Sequence, residues 1–322
     1  MSAQVEDTAP SAVTAQAPAM VAVANQVGER QEFGGNSVLS LKVGVSRYDV
    51  ATVAALDGKE ILVSFEDASN TPIEYAEIPH EDLVSVFQAV DELRKYLSRP
   101  KERSGVDITI QKRIPFETHL GGRAASAAAA LVALTRVWEA SIAREELARI
   151  AQRVGDGVAE AITGGAVITH TTPTEELVTP ILVQGELAMV IVPAAADLDD
   201  TEMFANVYAL RSEKDQHVDR GGLQFDSALV EAVARGDSQQ LALMMHNDFQ
   251  SALVNILPDH NDWLTAGMAE GALAAQTVDR GPSLVFITEN LAGATELAER
   301  FEQRMEIAAV AEYGPVAGAH LI

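Results

Sequence analysis

The chain has 322 residues, 48% of them hydrophobic and 22% charged, enough for one large domain or two ordinary ones with a buried core. Its 23 Lys and Arg stand against 47 Asp and Glu, a formal charge of −24, which argues against nucleic acid and anionic membranes as partners but leaves room for a local nest of amides that binds phosphate. With no cysteine there is no disulfide, thiolate metal ligand or cysteine nucleophile, which suits a cytoplasmic protein, and no apolar run approaches the roughly 18 residues of a membrane-crossing helix.

Residues 1–30 are rich in Ala, Gln, Ser, Thr and Pro and read as a disordered tail without a leader's basic flank and apolar core. Strands are predicted at Val38–Val43, Val50–Leu56 and Ile61–Phe65, the last two joined by a turn at Asp57-Gly58. Apolar residues at Leu83, Val86, Phe87, Val90, Leu93 and Leu97 predict a helix over His80–Leu97, followed by a strand at Val106–Ile110. The clearest helix is the Ala-rich Arg123–Ala140, entered through Leu120-Gly121-Gly122. A helix over Arg144–Val154 stops at Gly155, and Ala166–His170 reads as a strand. In the second half, strands are expected at Leu187–Val192, Leu284–Ile287 and Ile307–Ala311. Helices are expected at Thr201–Leu210, Ser227–Ala234, Ser238–Val254 and Ala292–Gln303. Strands and helices mixed without strict βαβ alternation give an α+β class. The expected division is a first domain over 31–175 and a second over 176–322.

The segment with chemical content is Lys112-Arg113-Ile114-Pro115, then Leu120-Gly121-Gly122-Arg123-Ala124-Ala125-Ser126, then the Ala-rich helix. Glycines let a backbone curl round a triphosphate, and free amides at a helix N-terminus bind it. Further landmarks follow in order: Gly34-Gly35-Asn36-Ser37-Val38-Leu39, Asp82-Leu83-Val84, Gly155-Asp156-Gly157-Val158 up to Gly164-Gly165, Asn247-Asp248-Phe249-Gln250, Arg280-Gly281-Pro282-Ser283 and Tyr313-Gly314-Pro315-Val316. Together they resemble the GHMP kinase family over roughly residues 33–322, and within it the 4-diphosphocytidyl-2-C-methyl-D-erythritol kinases. The resemblance implies a two-lobed α+β fold, with an N-terminal lobe like domain 2 of ribosomal protein S5 and a GHMP C-terminal lobe. It implies ATP and Mg as cofactors, a small-molecule alcohol as acceptor, an aspartate that activates the hydroxyl and a lysine that orients it.

The same resemblance shows where this chain departs. The lysine position falls on Asn36, which carries no charge, and the aspartate position on Gly157, which carries no side chain; Asp156 is the neighbouring candidate base. In the nucleotide loop Arg123 replaces a glycine, Ala124 a serine and Ser126 an aspartate, so binding of Mg·ATP is expected to be weak. On the substrate side Tyr48 is a candidate stacking residue, and Asp279, Arg280 and Gly281 form the final turn. Asp279 is expected to face the loop and pair with Arg123. Lys42 reads as a solvated strand lysine. No histidine pair has metal-binding spacing, so no metal site of another kind is expected. These departures fall on chemical positions while the fold landmarks persist. The expectation is an impaired kinase or a non-catalytic pseudoenzyme that binds a small molecule or a protein partner, with a working kinase using displaced residues, or a GHMP-fold enzyme with a changed substrate, as alternatives.

Overall fold

The computed structural model describes residues 12–30, 35–196, 198–213 and 223–322. The chain begins with β1 (Val13–Val27), β2 (Val38–Leu56) and β3 (Ile61–Glu66), then α1 (His80–Tyr96) and β4 (Gly105–Gln111). Next come α2 (Gly122–Val137), α3 (Arg144–Ala151), α4 (Val158–Thr163), β5 (Ala166–Thr171) and β6 (Glu176–Ile181). The second half runs β7 (Leu187–Val192), α5 (Asp200–Glu213), α6 (Ser227–Arg235), α7 (Ser238–Met244), β8 (His246–Asn247), α8 (Gln250–Ile256) and α9 (Asp259–Ala269). It closes with β9 (Ala274–Thr277), β10 (Leu284–Thr288), α10 (Leu291–Met305), β11 (Val310–Gly314) and β12 (His320–Leu321).

Two sheets organise these elements. In the first, β2 is the spine: β1 runs antiparallel along one edge, and on the other edge β5 pairs with Val38–Val43 and β4 with Val50–Leu56. The two strands expected either side of Gly44 are therefore one continuous strand. β3 lies parallel to β4, β6 antiparallel to β5, and β12 and β8 both pair with β1. The second sheet is antiparallel in the order β11-β7-β10-β9.

The structure overturns the tail expected over residues 1–30 where it describes them; residues 1–11 lie outside the described residues. Residues 13–27 form a strand buried along almost its whole length. Alanine is its commonest residue because the still more Ala-rich α2 packs across β1 and β2, and short side chains on both surfaces let helix and sheet approach closely. Helix α2 is apolar almost all round because it is buried almost all round. Pro18 is tolerated because the pairing register slips between Pro18 and Ala19. The halfway boundary is also crossed: β6, β8 and β12, all beyond residue 175, complete the first sheet. The predicted helix 238–254 breaks into α7 and α8 around β8, where Asn247 donates to the Thr277 and Asp279 carbonyls at 3.0 and 2.7 Å.

Candidate functional site

The open end of α2 faces a cleft of about 340 Å³ between the two sheets. Its floor is the loop from Pro115 to Arg123. Gly121 takes a left-handed conformation (φ 76°) that turns the chain into the helix. The loop is anchored from three sides. Met20 of β1 donates its N–H to the Leu120 carbonyl at 3.1 Å. Ser283 Oγ donates to the Thr118 carbonyl at 2.7 Å. Beneath the helix start, Lys112 Nζ donates to Asp49 Oδ2 at 2.5 Å and to Ser126 Oγ at 3.2 Å. Asp49 also accepts from Ser126 Oγ at 2.8 Å and from the backbone N–H groups of Arg113 and Ile114. This network is buried, so Lys112 and Asp49 neutralise one another inside the fold and hold the strand end. Asp82, opening α1, lies 3.8 Å from Lys112 Nζ; burial raises its pKa in spite of that cation and Arg123.

The far wall is a cluster of ions. Lys42 Nζ reaches both carboxylate oxygens of Glu160, at 2.9 and 3.0 Å, and lies 3.7 Å from Asp279 Oδ2. Burial by itself would lower the Lys42 pKa, but the charges of Glu160, Asp279 and Glu176 outweigh it and hold the ammonium above the ordinary lysine range. Glu176 Oε1 accepts from the Gly157 N–H at 3.2 Å, and its Oε2 is buried without a hydrogen bond. Burial, and then the charge of Glu160, push the Glu176 pKa up to about 7, against the pull of Lys42. Asp279 is half-buried, but Lys42, Arg280 and His119 more than offset its desolvation and lower its pKa.

These positions correct two expectations. Lys42 is not a solvated strand lysine: its side chain is 15% exposed and carries the only described ammonium in the cleft wall. Arg123 and Asp279 do not pair. The Arg123 guanidinium turns outward to Glu81 at 3.8 Å, both partners well exposed. Asp279 turns to Lys42 and to its neighbour Arg280, whose guanidinium also meets Asp200 at 2.8 Å. The ion pair that crosses the cleft is therefore Lys42–Asp279, beside the Arg47–Glu312 pair that also joins the two sheets.

Residues 84–169 match the GHMP kinases N terminal domain. The 4-diphosphocytidyl-2-C-methyl-D-erythritol kinase of Thermobifida fusca (strain YX) is 31% identical over 318 residues, covering 98% of this chain and 99% of that protein. The enzyme of that name from Nocardia farcinica (strain IFM 10152) is 31% identical over 317 residues, 97% of each chain. This chain belongs to the GHMP kinase family. Solved structures agree on the fold. A 4-(cytidine 5'-diphospho)-2C-methyl-D-erythritol kinase superposes with a TM-score of 0.71 at 20% identity, over 93% of this chain and 98% of that one. A homoserine kinase from Cytophaga hutchinsonii gives 0.72 at 16% identity over the whole of both chains.

On this GHMP fold the positions singled out in the sequence separate. Gly121, Gly122, Arg123, Ala124, Asp156, Gly157, Asp279 and Arg280 all border the cleft. Gly281 packs on His119 of the loop, and Ala125 and Ser126 lie buried within α2. Asn36 and Tyr48 stand apart. Asn36 Oδ1 accepts from the Tyr208 hydroxyl at 3.0 Å, and Tyr48 packs edge-on against His320 with ring centres 6.1 Å apart. Of the cleft residues, Met20, His119, Glu160 and Glu176 carried no expectation from sequence. Glu160 did leave a signal: it is the one acid in the apolar run Val158–Ile162.

The site suits a phosphate better than a magnesium ion. The glycines and the free amides of α2 remain. Ser126, however, spends its hydroxyl on Asp49, and Ala124 has no side-chain oxygen. Among the described residues no group of three or more His, Asp or Glu side chains is placed to hold a metal ion. Ala124 and Ser126 at the start of α2 therefore do not fit the metal that the family implies.

Proposed function

We propose that this chain is a homologue of 4-diphosphocytidyl-2-C-methyl-D-erythritol kinase that keeps a small-molecule cleft but is strongly impaired in transferring phosphate from Mg·ATP to the 2-hydroxyl of that kinase's substrate in the non-mevalonate isoprenoid pathway. It works in the cytoplasm, in keeping with a chain that has no cysteine. The observation that supports this most is Ser126. Where the family resemblance implies a carboxylate for phosphate and metal, this chain has a hydroxyl that is fully buried and turned away into the Asp49–Lys112 network. A hard cation needs several oxygen ligands, and the positions that open α2 present none, since Ala124 has no side-chain oxygen and Ser126 is turned onto Asp49. The charge of the cleft works against the phosphates of ATP. Glu81, Asp82, Glu117, Asp156, Glu160, Glu176 and Asp279 border it, against Lys42, Arg123 and Arg280.

Calorimetric titration with Mg·ATP tests the reading. The expected dissociation constant is in the millimolar range, and micromolar binding overturns it. A turnover assay on purified protein with 4-diphosphocytidyl-2-C-methyl-D-erythritol is the second arm. Product at an ordinary kinase rate, on the order of 1–100 per second, contradicts the impairment. A second reading, a working kinase with displaced residues, has one specific observation in its favour, the Lys42–Glu160 pair.

A further inference from the structure

Gly157 has no side chain, yet the space beside it is not empty of carboxylate. A Cβ built on Gly157 would stand 3.3 Å from Ala124 Cβ and 3.7 Å from Glu160 Oε2. Gly157 caps the N-terminus of α4, and Glu160 follows three residues later, one turn along on the same face. The Glu160 carboxylate is thus delivered to the place that a short acidic side chain at position 157 would enter. Its side chain is 2% exposed, and both of its oxygens accept from Lys42, which arrives from β2. The neighbours of Glu160 on α4 are Val158, Ala159, Ala161 and Ile162, all buried. Burying an ion pair costs several kcal/mol per ion before the pairing offsets it, and an apolar side chain would fill this space at less cost. Space-filling therefore does not account for the pair.

We infer that Lys42 and Glu160 are the catalytic pair of this cleft: Glu160 supplies from one turn further along α4 the carboxylate missing at Gly157, and Lys42 supplies from β2 the ammonium that Asn36, which lies outside the cleft, does not. The inference rests on reading the cleft as the family's acceptor site, and not on the impairment. Whatever transfer remains runs through this pair. The acceptor hydroxyl oxygen forms its bond to the γ-phosphorus of ATP as the bond from that phosphorus to the β–γ bridging oxygen breaks. The hydroxyl proton passes to Glu160, and ADP leaves with the electron pair. Lys42 takes two of the roughly four lone-pair sites on the Glu160 carboxylate, which leaves acceptor capacity for that proton. The ammonium then offsets the negative charge on the attacking oxygen. Asp279, at 3.7 Å from Lys42, and Glu176, on the Gly157 N–H, complete the ring of charges that fixes the ammonium.

The test uses the full chain at stoichiometric concentration with ATP and 4-diphosphocytidyl-2-C-methyl-D-erythritol, product being followed by mass spectrometry over hours. Glu160→Gln is expected to slow product formation by about 10²–10⁴-fold, the usual loss for a positioned base. Lys42→Met is expected to match it, with Lys42→Arg retaining more of the rate. Moving the carboxylate back, Gly157→Asp in a Glu160→Ala background, is expected to recover at least tenfold, which a purely structural role of Glu160 would not produce. Circular dichroism checks the fold of each variant, and the isosteric Glu160→Gln carries the test if Lys42→Met does not fold. Unchanged turnover in Glu160→Gln overturns the assignment. So does loss on Asp156→Asn with Glu160→Gln unaffected, which moves the base to Asp156. No product from the unmodified chain also overturns it, and the Mg·ATP titration then still decides the binding reading separately. Turnover at an ordinary kinase rate that collapses in Glu160→Gln sinks the impairment and upholds the pair.

Discussion

Glu176 shares its surroundings with Glu160, Lys42 and Asp156, and its Oε2 is buried without a hydrogen bond. Burial, and then the neighbouring Glu160, push its pKa from the ordinary 4.5 up to about 7 in the fold. Between those two values the folded chain holds the proton and the unfolded chain does not, so stability from this group is present at low pH and falls as pH rises through the window. Glu176→Gln keeps an acceptor for the Gly157 N–H and removes the buried charge. It is expected to stabilise the fold by on the order of 1–3 kcal/mol at pH 8 and by little at pH 5. Urea unfolding of both proteins at the two pH values measures this, and a variant no more stable at pH 8 contradicts it. At this scale the sequence marks departures from the family pattern but not the ion cluster beside them. Gly157 and Ser126 stood out against the family pattern. Lys42 looked like an ordinary strand lysine, because its partners Glu160 and Asp279 lie 118 and 237 residues away in the chain. Pairing across such separations is set by sheet register and lobe packing, which one sequence does not display.

β1 illustrates the same limit for an element. Strands announce themselves through β-branched and aromatic residues in alternation, and in β1 the valines are interspersed with Ala, Gln, Asn and a proline without alternation, because both faces are covered. What makes it a strand is its place: β2 along one edge, β12 and β8 on the other, α2 across its face. A chain starting at Gly28 is therefore expected to lack a cooperative unfolding transition, where a disordered tail would be dispensable. Thermal denaturation followed by circular dichroism decides it, and a native-like melt of that truncation refutes the role given to β1. Elements with a strong periodic signal were legible almost to the residue: α1, α2, β7 and β10 lie where their apolar spacing placed them. The helix expected over 238–254 was not. Its apolar pattern runs through His246-Asn247, but the Asn247 side chain is drawn into hydrogen bonds with Thr277 and Asp279, and the chain extends there to pair with β1. A tertiary contact has overridden local propensity.

At the scale of the molecule, the two sheets meet through contacts that also build the cleft. The Gly44 and Gly165 segments exchange backbone hydrogen bonds with Val316. Arg47 and Ser46 reach Glu312 of β11, and Lys42 reaches Asp279. Closing this interface therefore gathers carboxylates around Lys42, in a chain that already carries a net charge of −24. An anionic ligand approaching the open end of α2 meets attraction from the helix amides at short range and repulsion from the whole surface at long range. Salt screens the long-range term first. The Debye length falls from about 30 Å at 0.01 M to about 8 Å at 0.15 M, shorter than the molecule but longer than a hydrogen bond. Affinity for ATP is therefore expected to rise roughly two- to fivefold over that range, the reverse of a site whose phosphate binding depends on exposed cations. Titrations at the two ionic strengths, with chloride salt and constant pH, measure the sign. A fall in affinity with salt would mean that the ligand reads Arg123, Arg280 and Lys42 as a net positive face, and that the surrounding carboxylates are neutralised when it binds.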